Sequence, residues 1–433
     1  AAVIGEEARA YGIRQTFAPN LDLAREPRWG RTEECFSEDP YLAACMGEEY
    51  VKGLQRNGVA ATLKHFIGHG SPESGINIAP SHLGLRELLE LAAEPFERAV
   101  HAGALSVMPA YSEFDGVPIH ASSFLLRDLL KNGWNFPGYT FSDFGGTAMT
   151  VSVHCTADGP LNAGKYCLEA GLDLEAPVPY VYGDEFLSAV KKGEIEIRKI
   201  DEAVSRILYV KFALGLFENA IDGMSVSLRG EEALKLAKQS AEESIILLEN
   251  KGVLPLKQGV KVALIGPNAD RVQLGDYTAP DVWDVPKTIK DVLSERLGED
   301  LMYEQGCETA RMTEAGESKA VAVAEQADVT VLVLGDNSRF FGGIGWGNDA
   351  ATETVTCGEG FDSHDLLLPE AQRKLFQRVR KASKKLITVL VCGRPYAILD
   401  EKEKSDALIE IFYAGEYTAE ALADILYGSV NPS

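Results

Sequence analysis

The sequence predicts an α/β protein, an incomplete (β/α) barrel of the TIM type followed by an α/β sandwich of helix, sheet and helix. Three observations carry this expectation. Short apolar runs alternate with amphipathic helical segments through the first half of the chain, as they do in parallel sheets built from strand-helix units. Polar residues capable of chemistry recur at the ends of those runs, which favours a barrel over an open sheet. In the second half the strand candidates become near-continuous Val, Ile and Leu runs, the pattern of strands buried on both faces.

In the first half the strand candidates are 15–19, 60–66, 104–111, 139–143 and 172–175. Asp39-Pro40 predicts a helix start, a capping carboxylate followed by proline at the first helical position, with the helix closing at Gly58. A second helix is expected from Leu85 to about His101, kinked at Pro95, and a third from about Ile200 to Leu214 with Val204, Ile207, Leu208 and Phe212 on one face. Only five strand-helix units precede Gly215, whereas a closed barrel of this kind needs eight, so two or three units are expected upstream of Ala1. The expected division is therefore 1–218 as the later part of a barrel, 219–230 as a linker and 231–433 as the sandwich. The sandwich strands are expected at 245–248, 262–265, 329–334, 386–391 and 407–412, with a last helix at 418–427 and no closing strand after it.

At 433 residues the chain is too long for one compact core. A net charge of -23 opposes nucleic acid and anionic membranes as partners, because both are bound by clustered Lys and Arg. A neutral substrate fits this charge better. Seven scattered cysteines without a C-x-x-C spacing suggest neither a disulfide framework nor a zinc site, and reduced thiols in a cytoplasmic protein are their simplest account. His65, His69 and His82 sit close in sequence but do not as a set have the helical spacing of a zinc site, and no Gly-Lys-Ser/Thr loop is present to hold phosphates, so no metal or cofactor is expected.

The residues at the strand ends suggest sugar chemistry. Asp143 closes the run Tyr139 to Asp143 immediately before Gly145-Gly146, the place where barrel enzymes keep nucleophiles and bases. It could equally cap the helix that begins near Gly146. Arg31, Lys64, His65 and Tyr111 stand at neighbouring strand ends, where cations keep a carboxylate ionised and donate to hydroxyl groups. Each has an alternative as a local ion-pair partner, Arg31 with Glu34 or Glu38 for example. In the second half a long glycine-rich loop, 335–364, follows a buried strand and carries Glu359 between Gly358 and Gly360. Loops of this length in compact domains are usually functional, and partial burial can give such a carboxyl the raised pKa of a general acid.

Six ordered motifs give these residues a family. Arg25-Glu26-Pro27-Arg28-Trp29-Gly30-Arg31, Lys64-His65-Phe66, Val107-Met108-Pro109-Ala110-Tyr111, Ser142-Asp143-Phe144-Gly145, Gly215-Leu216-Phe217-Glu218-Asn219 and Gly358-Glu359-Gly360-Phe361-Asp362 resemble glycoside hydrolase family 3 over nearly the whole chain. The resemblance implies a barrel followed by a sandwich and a retaining, exo-acting β-glycosidase for glucose or xylose. It implies Asp143 as nucleophile, Glu359 as acid/base, and Arg31, Lys64, His65, Met108 and Tyr111 as the lining of the terminal-sugar subsite, with a small oligosaccharide or aryl β-glycoside as substrate.

The chain departs from the family pattern in three ways. Phe144 stands where the family often has Trp, Ser363 follows Asp362 where Arg is common, and the early barrel portion with its sugar-gripping Asp is absent. Two other readings stay open at this level. In an N-acetylglucosaminidase mechanism His82 would act through a barrel loop, although Pro80 stands where its orienting Asp belongs. In a non-catalytic reading the chain binds sugar without turnover. Leu174-Glu175-Ala176-Pro177 and the loop 340–349 are the expected walls that choose between glucose and xylose.

Overall fold

The computed structural model describes residues 1–218, 228–279, 282–313, 315–338 and 355–433. They form two compact units, Ala1–Glu26 with Cys35–Leu228, and Pro27–Glu34 with Arg229–Ser433. The short segment 27–34 thus groups with the second unit, although sequence order sets it inside the first. Of the expected linker 219–230, residues 219–227 lie outside the described residues.

The first unit is the barrel-like portion. Its strands β1 (Gln15–Thr16), β2 (Ala60–Phe66) and β3 (Ser106–Pro109) lie parallel in that order. After the hairpin of β4 (Glu113–Phe114) and β5 (Val117–Pro118), β6 (Tyr139–Thr140) joins the far side of β3. The expected strand at 172–175 is reduced to a bridge between Phe141 and Leu174, with Ser142 N–H donating to the Leu174 carbonyl at 2.9 Å. Side chains alternating from this sheet meet the helices around it. Phe66 packs edge-on against Phe96 and Trp134 at 5.4 and 5.8 Å between ring centroids. Burying one such ring is worth about 1.5–3 kcal/mol.

The helix Pro40–Gln55 starts as its sequence requires, with Asp39 Oδ1 accepting from Tyr41 N–H at 2.8 Å. The expected helix 85–101 breaks before Pro95 rather than at it. A separate helix, Glu94–His101, begins there, because a ring without an N–H is tolerated only in a first turn. In the helix Ile197–Ala213 the apolar residues Val204, Leu208 and Phe212 are exposed, and the buried positions are Ala203 and Val210. That helix is tied to the sheet by charge. Buried Asp173 accepts from Lys131 Nζ at 2.5 Å, from Arg206 Nη2 at 2.8 Å and from Thr140 N–H at 2.9 Å. Burial brings the Lys131 pKa down to about 8.

The second unit holds a six-stranded sheet of β7 (Ile246–Asn250), β8 (Val262–Ile265), β9 (Leu301–Glu304), β10 (Val329–Gly335), β11 (Leu386–Val391) and β12 (Ala407–Ile411), in the order β7-β12-β11-β10-β8-β9. All neighbours are parallel except β7, which runs antiparallel to β12. Strands β8, β10, β11 and β12 are buried throughout, as their unbroken aliphatic runs require. The edge strand β9 has no such run, which is why Leu-Met-Tyr-Glu gave no strand signal. The chain leaves β8 outward to β9 and then returns to β10 on the other side of β8. Strand order therefore reverses between β8 and β10, and the carboxyl ends of such a pair are where open α/β sheets hold ligands.

Candidate functional site

The first unit gathers Asp143, His65, Asp22, His120 and Tyr111. Asp143 ends the β6 run and is nearly buried. It does not cap the following helix, since no side chain caps Gly146–Ser152; its Oδ1 accepts instead from Phe144 N–H at 2.7 Å. His120 Nε2 accepts the Asp143 backbone N–H at 3.2 Å. That acceptor role requires a neutral ring, and burial, helped by His154, pulls the His120 pKa down to about 3. His65, at the end of β2, lies between two carboxylates. Its Nδ1 is 2.7 Å from Asp22 Oδ2, and its Nε2 is 3.7 Å from Asp143 Oδ2. The first distance makes Nδ1 the protonated nitrogen, and the second is too long for a hydrogen bond. Asp22 therefore orients the ring that faces Asp143.

Of the other predicted residues, Met108 on β3 is buried and Lys64 on β2 is partly buried. Tyr111 donates its hydroxyl to the Phe144 carbonyl at 3.0 Å, linking the ends of two strands beside Asp143. Glu175, an expected wall residue, is occupied by its own loop, accepting from Thr147 Oγ1 and from the backbone N–H groups of Tyr180, Val181 and Tyr182. The other expected wall, 340–349, lies outside the described residues. His82 is exposed and pairs with exposed Glu73 at 3.2 Å.

The second unit gathers Glu359, Arg31, Tyr277 and Asp276. Arg31 Nη1 donates to Glu359 Oε1 at 3.1 Å, and Arg31 Nε donates to Glu34 Oε1 at 2.6 Å. Of the two local partners expected for Arg31, Glu34 is the one it pairs with, and the same guanidinium also serves Glu359. Burial opposes its charge, but Glu34 and Glu359 outweigh burial and hold its pKa well above the ordinary value. Tyr277 donates its hydroxyl to Glu359 Oε2. Asp276 Oδ2 accepts the Glu359 N–H at 3.0 Å, and Asp276 N–H donates to Glu33 Oε1 at 2.6 Å. Burial raises the Glu33 pKa to about 8. The loops bearing Tyr277 and Glu359 follow β8 and β10, the two strands at which the order reverses.

Gly30 lets these segments meet. It donates its N–H to Asp362 Oδ1 at 2.8 Å, and a Cβ there would stand 2.0 Å from the Gly358 carbonyl oxygen. Sequence reasoning missed Asp22, His120, Asp276 and Tyr277. Asp22 alone had a usable signal, since Asn20-Leu21-Asp22-Leu23 alternates like a half-buried strand next to β2. Among the described residues no three His, Cys, Asp or Glu side chains are placed to hold a metal ion, and no helix is long and apolar enough to cross a membrane.

Residues 1–210 match the model of the glycosyl hydrolase family 3 N-terminal domain, and residues 245–433 match that of the family's C-terminal domain. The chain is 34% identical over its whole length to a β-xylosidase of Formosa agariphila and 31% identical over 99% of its length to a periplasmic β-glucosidase of Salmonella typhimurium. It spans 62% and 59% of those two proteins. The structure of a β-glucosidase from Listeria innocua in complex with isofagomine superposes on the entire chain with a TM-score of 0.89 at 31% identity, the chain covering 60% of it. Two adjoining domain models, similar relatives along the full length and the same architecture agree: the chain belongs to glycosyl hydrolase family 3.

Proposed function

We propose that this chain is the catalytic part of a retaining, exo-acting β-glycosidase that releases terminal β-D-glucosyl residues, with Asp143 as nucleophile and Glu359 as acid/base. The observation that carries this reading is the environment of each carboxyl. Asp143 ends a strand, with an oriented imidazole facing it and a neutral one on its backbone; Glu359 stands on a loop after a buried strand, with a guanidinium and a phenol on its two oxygens.

In this mechanism an Asp143 oxygen attacks the anomeric carbon while the bond to the leaving oxygen breaks, and Glu359 gives that oxygen its proton. Water then displaces Asp143, its proton passing to Glu359, and the sugar leaves with retained configuration. Such chemistry demands that the two carboxyl groups work about 5 Å apart across one sugar ring. Arg31, Lys64, His65, Met108 and Tyr111 form the subsite for the terminal sugar in this reading, the polar ones donating to hydroxyl groups and Met108 packing on the ring. The relatives include glucosidases and xylosidases, and structures of the Listeria innocua enzyme hold glucose and laminaribiose, so a short β-linked glucoside is the substrate proposed.

The test compares kcat/KM on 4-nitrophenyl β-D-glucoside and β-D-xyloside and follows the anomer first released by NMR. A preference for the glucoside with β-product first supports the proposal. A preference for the xyloside reassigns the substrate, α-product first removes the double displacement, and sugar binding without turnover by either glycoside removes the enzyme.

A further inference from the structure

The loop that carries Glu359 is fixed by a guanidinium that holds its backbone on either side of that residue. Arg394 lies just beyond β11 and is fully buried. Its Nη2 donates to the carbonyl oxygens of Thr356 at 2.9 Å and Phe361 at 2.8 Å, one on each side of Glu359 in the chain. Its Nη1 donates to the carbonyls of Arg28 at 2.7 Å and Pro27 at 3.4 Å, on the segment that leads to Arg31. One planar fork therefore spans both backbone segments whose side chains form the Arg31–Glu359 pair. A lysine ammonium is a point charge and cannot reproduce that spread.

The acceptors are neutral, so the charge must be balanced elsewhere. Asp336, buried just after β10, is an acid whose charge favours the Arg394 cation, and it ties the same pieces together. Its Oδ2 accepts from Gly393 N–H at 3.0 Å and its Oδ1 from Thr356 Oγ1 at 2.8 Å. The turn holding Arg394 and the root of the Glu359 loop thus share one carboxylate.

We propose that Arg394 is a positioning residue for the acid/base step: by clamping the backbone on both sides of Glu359 against the segment before Arg31, it aims the Glu359 carboxyl at the leaving oxygen. This rests on the assignment of Glu359 made above. A residue acting in this way matters when the leaving oxygen needs a proton and little when it departs unaided.

The test measures kcat/KM on the 2,4-dinitrophenyl and phenyl glycosides of the preferred sugar for the parent protein and for Glu359→Ala, Arg394→Lys and Thr356→Val. Arg394→Lys is expected to lose about 100-fold on the phenyl glycoside, as misplaced catalytic groups do, and less than about 3-fold on the dinitrophenyl one. Azide is expected to accelerate its turnover of the dinitrophenyl substrate. Thr356→Val, nearly isosteric, keeps the test open if Arg394→Lys does not melt cooperatively; it is expected to show the same selectivity at smaller amplitude. Equal losses on both substrates, or none, in the folded variants overturn the proposal. If Glu359→Ala is selective while those variants are not, Arg394 alone is reassigned. If Glu359→Ala itself loses equally on both substrates, the acid/base assignment falls first.

Discussion

Arg31 and Glu359, separated by 328 positions in the chain, meet at 3.1 Å through Nη1 and Oε1 within one compact unit. The pair is possible because segment 27–34 leaves its neighbours in sequence and packs with the second unit. Arg31 is nearly buried, so its charge is neutralised by Glu34 and Glu359 rather than by water.

Gly30→Ala tests that packing. The new methyl group would meet the Gly358 and Phe361 carbonyl oxygens at 2.0 and 2.8 Å, and neither is a flexible side chain. We expect a loss on the order of 1–3 kcal/mol in stability and a fall in kcat/KM as Arg31 separates from Glu359. Gly84→Ala, where nothing lies within 4 Å, is the control and should leave both unchanged.

Asp143→Asn keeps the shape of the side chain and removes its charge. Turnover should fall by more than about 1,000-fold, the scale seen when one member of a nucleophilic unit is lost, with melting nearly unchanged. Steady-state kinetics beside a thermal melt checks it; a variant retaining a tenth of the parent rate removes Asp143 from the chemistry.

The first unit should weaken in acid through His120. Its folded pKa of about 3 lies below the ordinary 6.5, so the stability it confers is complete above 6.5 and is lost as pH falls toward 3. In His120→Gln, which has no proton to gain and keeps an acceptor for Asp143 N–H, the melting temperature should fall less between pH 7 and 4 than it does in the parent.

The second unit should show the opposite sign through Glu410. This carboxyl is buried on β12 with no hydrogen-bond partner for Oε1 among the described residues, and burial together with Asp336 raises its pKa to about 8 from the ordinary 4.5. Its contribution is therefore complete below 4.5 and is lost as pH rises through 8. Glu410→Gln should be more stable than the parent at pH 8 by on the order of a few kcal/mol, one pKa unit being about 1.4 kcal/mol. The difference should close toward pH 5. Melting temperatures that run parallel across this range would refute it.

Much of this was legible in the residues themselves. The aliphatic runs of β8, β10, β11 and β12 admit only strands buried on both faces, and Asp39-Pro40 admits little besides a helix start. The motifs around Asp143 and Glu359 identified the family, because their order is more specific than any one of them. Edge strand β9 and the exposed face of the helix Ile197–Ala213 escaped, since short or one-sided apolar patterns do not say what will cover them.

The sequence by itself determined the two α/β parts and the family, and it singled out Asp143 and Glu359 as candidates, because periodicity and motif are local properties of the chain. Only the tertiary structure decided that Asp22 orients His65, that His120 is neutral beneath Asp143, and that Arg394 spans the backbone around Arg31 and Glu359. Those facts arise from burial and from distances between residues far apart in the chain, and neither is written in the order of the amino acids.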